Sequence, residues 1–206
     1  MTARGVIGAR RRRLVAASTL AGLALATPPT SLSSDPSVRP WPIGQGPRYV
    51  PKPRPAPIAS GVPVQGLRCA SRGPAFRIHF ELFADRQVVV IPAGIGVAAP
   101  SVRVGGAVDP GGCVYPIRTL DQTGVVEVSR GVSLRLADLF TIWGQTLTTH
   151  GLLSFRSTDS VRAYVDGRRY AGPAGSVRLT PKLEIVVEIG AYVSPHRFFL
   201  FPQAAA

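Results

Sequence analysis

Alternation of apolar and polar residues is the main pattern after residue 75. Residues 76–82 alternate without a break, which predicts a strand with one face toward a core and one polar face carrying His79 and Glu81. A β-branched run at residues 87–91 ends at Pro92, so the two segments are predicted to form a hairpin. Further strands are predicted at residues 115–119, 125–129, 162–165, 168–170 and 183–189.

The period changes at residues 136–143. Apolar residues recur there at the i, i+3, i+4, i+7 spacing of one helical face, and Gly144 stands where a helix would end. No strand is followed by a long crossover helix. The order predicts an α+β, β-dominated fold with a mostly antiparallel sheet and one short helix, in a β-grasp-like arrangement; a β-sandwich is the alternative.

The N-terminus has the pattern of a secretory signal. Residues 1–13 carry five arginines and no acid, and the uncharged residues 14–26 are rich in Leu and Ala and end in Ala24-Leu25-Ala26. The apolar run is shorter than the ~20 residues that span a bilayer. We therefore predict a signal peptide at residues 1–26 and an exported protein, secreted or associated with the cell envelope; an uncleaved anchor is the alternative.

Prolines dominate the next segment. Residues 27–65 contain eleven of the 20 prolines, including four that alternate at positions 51–57. Because proline removes amide donors and fixes φ, this stretch is predicted to be a disordered, extended linker, with a ligand for a proline-binding domain as the less favoured interpretation. The remaining residues 66–206 are predicted to form a single β-rich globular domain.

The charge is unevenly distributed. The chain has a net charge of +13, of which the predicted signal carries five and the linker three, so the domain keeps 13 − 5 − 3 = +5. Such an excess fits weak contact with anionic envelope lipid or wall polymer better than nucleic-acid binding. Hydrophobic residues make up 45% of the chain, which excludes global disorder. With only three histidines, the chain is poor in side chains that transfer protons.

The two cysteines, Cys69 and Cys113, are predicted to form a disulfide because the chain is expected to be exported. A loop of this length would contribute about 4 kcal/mol on the chain-entropy model. Two free thiols are the alternative. No cofactor is predicted: residues 94–99 match a dinucleotide fingerprint, but Pro100 and the following glycine pair leave no room for the helix that would face a pyrophosphate.

Six short segments share their order with a protein family. They are Ile78-His79-Phe80-Glu81-Leu82, Ile91-Pro92-Ala93-Gly94-Ile95-Gly96, Cys113-Val114-Tyr115, Thr119 and Asp121 with Gly124-Val125-Val126, Leu139-Phe140-Thr141-Ile142-Trp143-Gly144, and Leu183-Glu184-Ile185-Val186-Val187-Glu188-Ile189-Gly190. Over roughly residues 75–190 the chain resembles an uncharacterised family of exported bacterial proteins. Its members carry His-x-His, Leu-His-Thr-His-Asp and Gly-Ile-Ile-His segments, so the resemblance implies an exported scaffold with a histidine set suited to a metal.

This chain departs from that histidine set. His79 and Asp121 are kept, whereas the other histidine positions hold Glu81, Arg118, Leu120 and Glu127. An arginine among ligands opposes a cation, so we predict no metal here. The hypothesis is instead an ion-paired polar pocket in which Arg118 faces Glu81 or Glu127. The alternative is that His79 is a hydrogen-bonded strand residue, and no role is expected for His150 or His196. The pocket is predicted from these residues: His79, Glu81, Arg118, Asp121 and Glu127.

Three function classes follow. An exported, non-catalytic binding or structural module is favoured, since a signal, a spacer and a compact domain are what such a protein needs. A metal-binding protein for zinc or copper comes second, on the resemblance alone. A hydrolase using the histidine and carboxylates comes third, because no nucleophile or oxyanion motif accompanies them.

Overall fold

The computed structural model describes residues 46–51 and 58–201. The predicted signal at residues 1–26, and residues 27–45 and 52–57 of the predicted linker, lie outside this part and stay predictions. The described residues form these elements: β1 Arg48–Tyr49, β2 Ile58–Ala59, β3 Ala75–Ala84, β4 Gln87–Val89, β5 Ala98–Ala99, β6 Ser101–Val104, β7 Ala107–Pro110, β8 Ile117–Thr119, β9 Val125–Ser129, α1 Leu136–Trp143, β10 Leu147–Thr148, β11 Gly151–Leu152, β12 Phe155–Arg156, β13 Arg162–Val165, β14 Arg168–Arg169, a 3₁₀ turn Ala174–Ser176, and β15 Glu184–Ile189.

The largest sheet is mixed and contains eight of the strands. Its central path runs β9-β3-β15-β13-β14, with β8 beyond β9, while β4 and β1 extend the edge next to the end of β3. The first long strand, β3, is parallel to the last strand, β15, and antiparallel to β9, and α1 lies in sequence between β9 and β13. This is the β-grasp order, so the α+β, β-dominated prediction is confirmed.

Helix α1 covers one face of this sheet. The ring of Phe140 meets Phe80 of β3 edge to face, with centroids 5.9 Å apart. The helix has the predicted bounds, and Gly144 ends it in the left-handed conformation at φ 69°. Alternate residues of β3, β9 and β15 pack beneath the helix in a single large apolar cluster. A helix rather than a second large sheet therefore packs on this face, which is why the β-sandwich alternative is wrong.

Two short strands extend the folded unit into the predicted linker. Strand β1 pairs in parallel with β4, because the carbonyls of Pro47 and Tyr49 accept hydrogen bonds from the N–H groups of Val88 and Val90, both at 2.8 Å. Strand β2 pairs with β5 in the same direction. Proline lacks a donor but keeps its acceptor, so an edge strand can use it. The described residues on either side of positions 52–57 thus contact the domain rather than form a free spacer.

The predicted disulfide is confirmed. Cys69 and Cys113 are bonded, with their Cα atoms 5.3 Å apart. Beside them, Ala70 and Val114 exchange two backbone hydrogen bonds, so the bridge holds the chain that leads into β3 against the chain that leads into β8. Among the described residues no helix is both long and apolar enough to cross a membrane.

The face of the sheet opposite α1 is charged and largely buried. Residues 190–201, here called the C-terminal segment, run over it after β15: Val193 donates its N–H to Glu188, and Phe199 stacks on His79. The charged side chains beneath are less than a tenth exposed, where an ordinary polar sheet face would be solvated. They are His79, Glu81, Arg118, Glu127, Glu184 and Glu188.

Candidate functional site

The charged face contains two neighbouring groups of side chains. We call the first the acidic cluster and the second the arginine cluster. The acidic cluster consists of His79, Glu81, Glu184 and His196. The arginine cluster consists of Arg72, Arg77, Arg118, Glu127, Arg130 and Lys182. The residues predicted to form one pocket are therefore divided between two places.

Strand register builds the acidic cluster. Because β15 lies parallel to β3 with Glu184 opposite His79, the two side chains share one face, and His79 Nδ1 lies 2.7 Å from Glu184 Oε2. The other ring nitrogen, Nε2, lies 2.9 Å from the backbone carbonyl of Thr123. Both ring nitrogens of His79 are thus committed, and the ring cannot rotate without breaking both interactions.

The loop before β9 brings that carbonyl to the histidine. Asp121 accepts hydrogen bonds from the N–H and the hydroxyl of Thr123, which is the arrangement of an Asx turn. Gly124 follows at φ +84°, and a Cβ there would lie 2.6 Å from the carbonyl oxygen of Phe80 and 2.9 Å from His79 Nε2. Asp121 therefore takes no direct part in the acidic cluster, and it supports the turn that orients His79.

Glu81 joins the cluster from the same strand. Its carboxylate lies 2.8 Å from His196 Nδ1 in the C-terminal segment and 4.0 Å from His79 Nδ1. Burial raises the pKa of Glu81 above its ordinary value of 4.5, and the negative charge of Glu184 raises it further. The hydrogen bond from His196 and the charges of both histidines oppose that increase in pKa.

Little space remains in the acidic cluster. The ring of Phe199 lies parallel to that of His79, with centroids 3.9 Å apart and planes 6° apart. The cavity beside His79 and Glu81 measures about 10 Å³. That is the size of one water molecule, so an organic substrate has no room next to the histidine.

The arginine cluster is built around a single carboxylate. Arg118 of β8 and Arg77 of β3 both lie opposite Glu127 in register. Arg118 is completely buried and donates from Nε to Glu127 Oε2 at 3.0 Å, while its Nη2 lies 2.9 Å from that oxygen without hydrogen-bond alignment. Arg72 donates to the other oxygen at 2.9 Å, and Arg77 is 3.7 Å away. Three guanidinium groups therefore surround one carboxylate.

An open cavity of about 410 Å³ lies over these side chains. Arg130, Lys182 and Phe201 line it together with the Glu127 network. Arg130 and Lys182 are exposed, and within the described ranges their side chains have neither an ion pair nor a hydrogen bond. The wall carries five cationic side chains and one carboxylate, a net charge of 5 − 1 = +4.

Sequence reasoning identified members of both clusters but missed several of their partners. Glu184 alternates with apolar residues in the last strand, and the β-grasp order places that strand beside β3, so a signal for it existed. His196 lies in an irregular segment where no periodicity could locate it. Arg72 precedes β3 and reaches Glu127 only through the tertiary fold.

No family model, no curated protein and no solved structure matches this chain. The resemblance to an exported bacterial family therefore stays a prediction. The site has to be interpreted from its own chemistry.

Proposed function

We propose that the protein is an exported, non-catalytic binding module that holds an anionic group of the cell envelope in the arginine cluster. The ligand chemistry is a phosphate or carboxylate of an envelope lipid or a wall polymer. One observation carries the proposal: a cavity of about 410 Å³ whose wall holds five cationic side chains and a single carboxylate.

The ion pairs with Glu127 do not neutralise all of the positive charge in the arginine cluster. Glu127 balances one guanidinium, and its contacts fix the orientation of Arg118 and Arg72. Guanidinium groups bind oxyanions through paired, planar donors, and pre-oriented side chains lose less conformational entropy on binding. Arg130 and Lys182 are exposed at the opening, where they can meet a ligand without first breaking a contact that the structure shows.

The disulfide fits a protein that is exported or otherwise outside the cytoplasm. The arginine-rich start and apolar run of residues 1–26 support export by a signal peptide. An envelope location also brings the domain close to anionic lipid headgroups and polymers, the chemistry that the cavity suits.

The hydrolase alternative has less support. Its acid and base would be His79 and Glu81, where the ring of Phe199 stacks on His79 and the adjoining cavity measures about 10 Å³. A substrate would first have to displace the C-terminal segment.

The test compares three probes with the full chain: vesicles of phosphatidylcholine, the same vesicles containing phosphatidylglycerol, and soluble polyphosphate. We expect binding to the anionic probes and none to neutral vesicles. Preference for vesicles would assign the lipid headgroup, and preference for polyphosphate would assign the polymer. Equal binding to neutral and anionic vesicles, or binding to none of the probes, would overturn the proposal.

A matched pair of double variants locates the site. Arg130→Gln with Lys182→Gln removes two charges from the cavity wall and should weaken anion binding about tenfold, since each phosphate contact contributes on the order of a few-fold. Arg168→Gln with Arg178→Gln removes two exposed charges away from that wall and should leave the affinity nearly unchanged. Equal reductions in the two variants would show that only overall charge matters.

A further inference from the structure

We propose that the acidic cluster binds one divalent transition-metal ion of the zinc class, with His79 Nδ1 and carboxylate oxygens of Glu81 and Glu184 as its ligands. These three ligand atoms lie within 4.8 Å of one another, and all three residues are buried. This site is separate from the cavity of the arginine cluster and is independent of anion binding there.

The orientation of His79 supplies the first argument. The carbonyl of Thr123 can only accept, so the ring nitrogen Nε2 at 2.9 Å from it must carry a hydrogen. In the neutral ring, the lone pair is then on Nδ1, which lies 2.7 Å from Glu184 Oε2. Two lone pairs this close need a proton or a cation between them. Metal-binding histidines typically donate their second N–H to a carbonyl or a carboxylate in this way.

An unpartnered oxygen supplies the second argument. Glu184 is 99% buried, and its Oε1 accepts no hydrogen bond from any described residue. A buried carboxylate oxygen without a partner carries a substantial desolvation penalty, which a bound cation would remove.

Glu188 is the contrasting carboxylate on the same strand and the same face. Its Oε1 accepts from Arg162 Nε at 2.7 Å and from the hydroxyl of Tyr164 at 3.1 Å, and its Oε2 accepts from the N–H of Val193 at 2.8 Å. Both oxygens are satisfied by the protein. The deficit in hydrogen bonds is therefore particular to the carboxylate beside His79.

Charge also suits a single ion. Two carboxylates balance a 2+ charge. Arg118, which was expected to repel a cation, is engaged with Glu127 in the other cluster. His196 Nδ1, 2.8 Å from Glu81, is placed to donate to that carboxylate and orient it from outside.

The donor set indicates the class of ion. Imidazole nitrogen suits zinc, copper, iron and nickel, whereas carboxylate oxygen alone suits magnesium and calcium. One imidazole and two carboxylates are three protein ligands of the types that zinc accepts, and water would complete the coordination. Metal ligands bind in their deprotonated form, so binding at this site should release protons.

The test is a titration of the full chain, freed of metal by chelation, with Zn²⁺ against a competing chelator. We expect one ion per chain and a rise in the unfolding temperature. Mg²⁺ in tenfold excess should not compete. Absence of stoichiometric binding by the folded chain would overturn the proposal without any variant.

Variants that each replace one ligand then assign the ligands. Glu184→Gln and His79→Gln should each weaken Zn²⁺ binding at least tenfold, whereas the matched control Glu188→Gln should bind as the wild type does. Circular dichroism of each metal-free variant verifies folding, and a variant that is unfolded is replaced by Glu81→Gln. Zn²⁺ affinity that is unchanged by these ligand variants, or lowered equally by Glu188→Gln, would place the ion elsewhere and contradict the proposal.

Discussion

The acidic cluster and the arginine cluster occupy the same face of the same sheet, yet they differ in the space left around their charges. The cavity at the acidic cluster measures about 10 Å³ and that at the arginine cluster about 410 Å³. The C-terminal segment meets the two clusters differently: Phe199 stacks on the ring of His79, whereas Phe201 lines one wall of the larger cavity. Of these two cavities, only the one at the arginine cluster has room for a ligand larger than a single ion.

The two clusters also differ in the sign of their excess charge. Around Glu127 three guanidinium groups serve one carboxylate, so positive charge is in excess. Around His79 two carboxylates share one buried imidazole, so negative charge is in excess. A ligand of opposite charge would therefore neutralise the excess in each cluster: an anion in the arginine cluster and a cation in the acidic cluster.

The largest expected effect comes from removing the buried guanidinium. Arg118→Met should lower the free energy of unfolding by about 3 kcal/mol, because breaking a buried ion pair leaves a carboxylate short of a partner; the decrease stays at the lower end of the usual range since Arg72 remains bound to Glu127. Unfolding in denaturant measures this decrease in the free energy of unfolding.

Its controls are Arg72→Met and a double variant. Arg72 is 48% exposed, so its removal should cost less than about 1 kcal/mol. Arg118→Met combined with Glu127→Met should recover much of the stability, because an apolar pair leaves no unpaired charge in the buried position. Arg72 and Arg77 also lose their contact with Glu127, but their side chains are 48% and 41% exposed to water. If Arg118→Met cost no more than Arg72→Met, the arginine cluster would not contain a buried ion pair that matters for stability.

The second effect concerns the cover over the acidic cluster. Phe199→Ala removes the ring stacked on His79 and should lower the free energy of unfolding by about 1–2 kcal/mol, less than for a fully buried ring because Phe199 is half-buried. The His79 Nε2 proton should also exchange faster with solvent, as NMR can record.

Its neighbour Phe198 is the matched control. This ring is 72% exposed, so Phe198→Ala should change stability by about 0.5 kcal/mol or less. Equal effects of the two substitutions on stability and on proton exchange would mean that the C-terminal segment does not close the acidic cluster.

A smaller effect is the pH dependence of the metal-free chain. The pKa of Glu81 is raised above 4.5 by burial and by Glu184, against the opposing effects of His196 and His79. The folded state then holds a proton that the unfolded state releases, so stability should fall as pH rises from about 4.5 through the raised pKa. Glu81→Gln should lack this fall, and unfolding of both chains across pH with a chelator present isolates it. A wild type that gains stability relative to the variant over that window would contradict the pKa assignment.

Local pattern was sufficient to predict the helix and the strands of the large sheet other than β1, but it did not predict the strands of the three smaller sheets. Strand β9 and helix α1 have the predicted bounds, because an uninterrupted period of two or of 3.6 defines each of them. The linker was less predictable. Strand β1 is two residues long and uses the carbonyl of a proline, and no periodicity signals such a pairing.

The site was predictable only in part, for a tertiary reason. Alternation in β3 places His79 and Glu81 on one face, and alternation in β15 does the same for Glu184. Which strands become neighbours depends on topology, and so does whether Arg118 meets Glu81 or Glu127. The antiparallel register of β8 and β9 decides it in favour of Glu127.

The most direct test of the central claim, that the arginine cluster holds an anionic group, is the salt dependence of polyphosphate binding. The logarithm of the binding constant should fall linearly with the logarithm of salt concentration, because each bound phosphate releases a counterion. Arg130→Gln with Lys182→Gln should reduce the magnitude of the slope by roughly two, one for each cationic side chain replaced. Arg168→Gln with Arg178→Gln should keep the wild-type slope. A slope that both double variants reduce equally, or that neither changes, would contradict the assignment of the anion to this cavity.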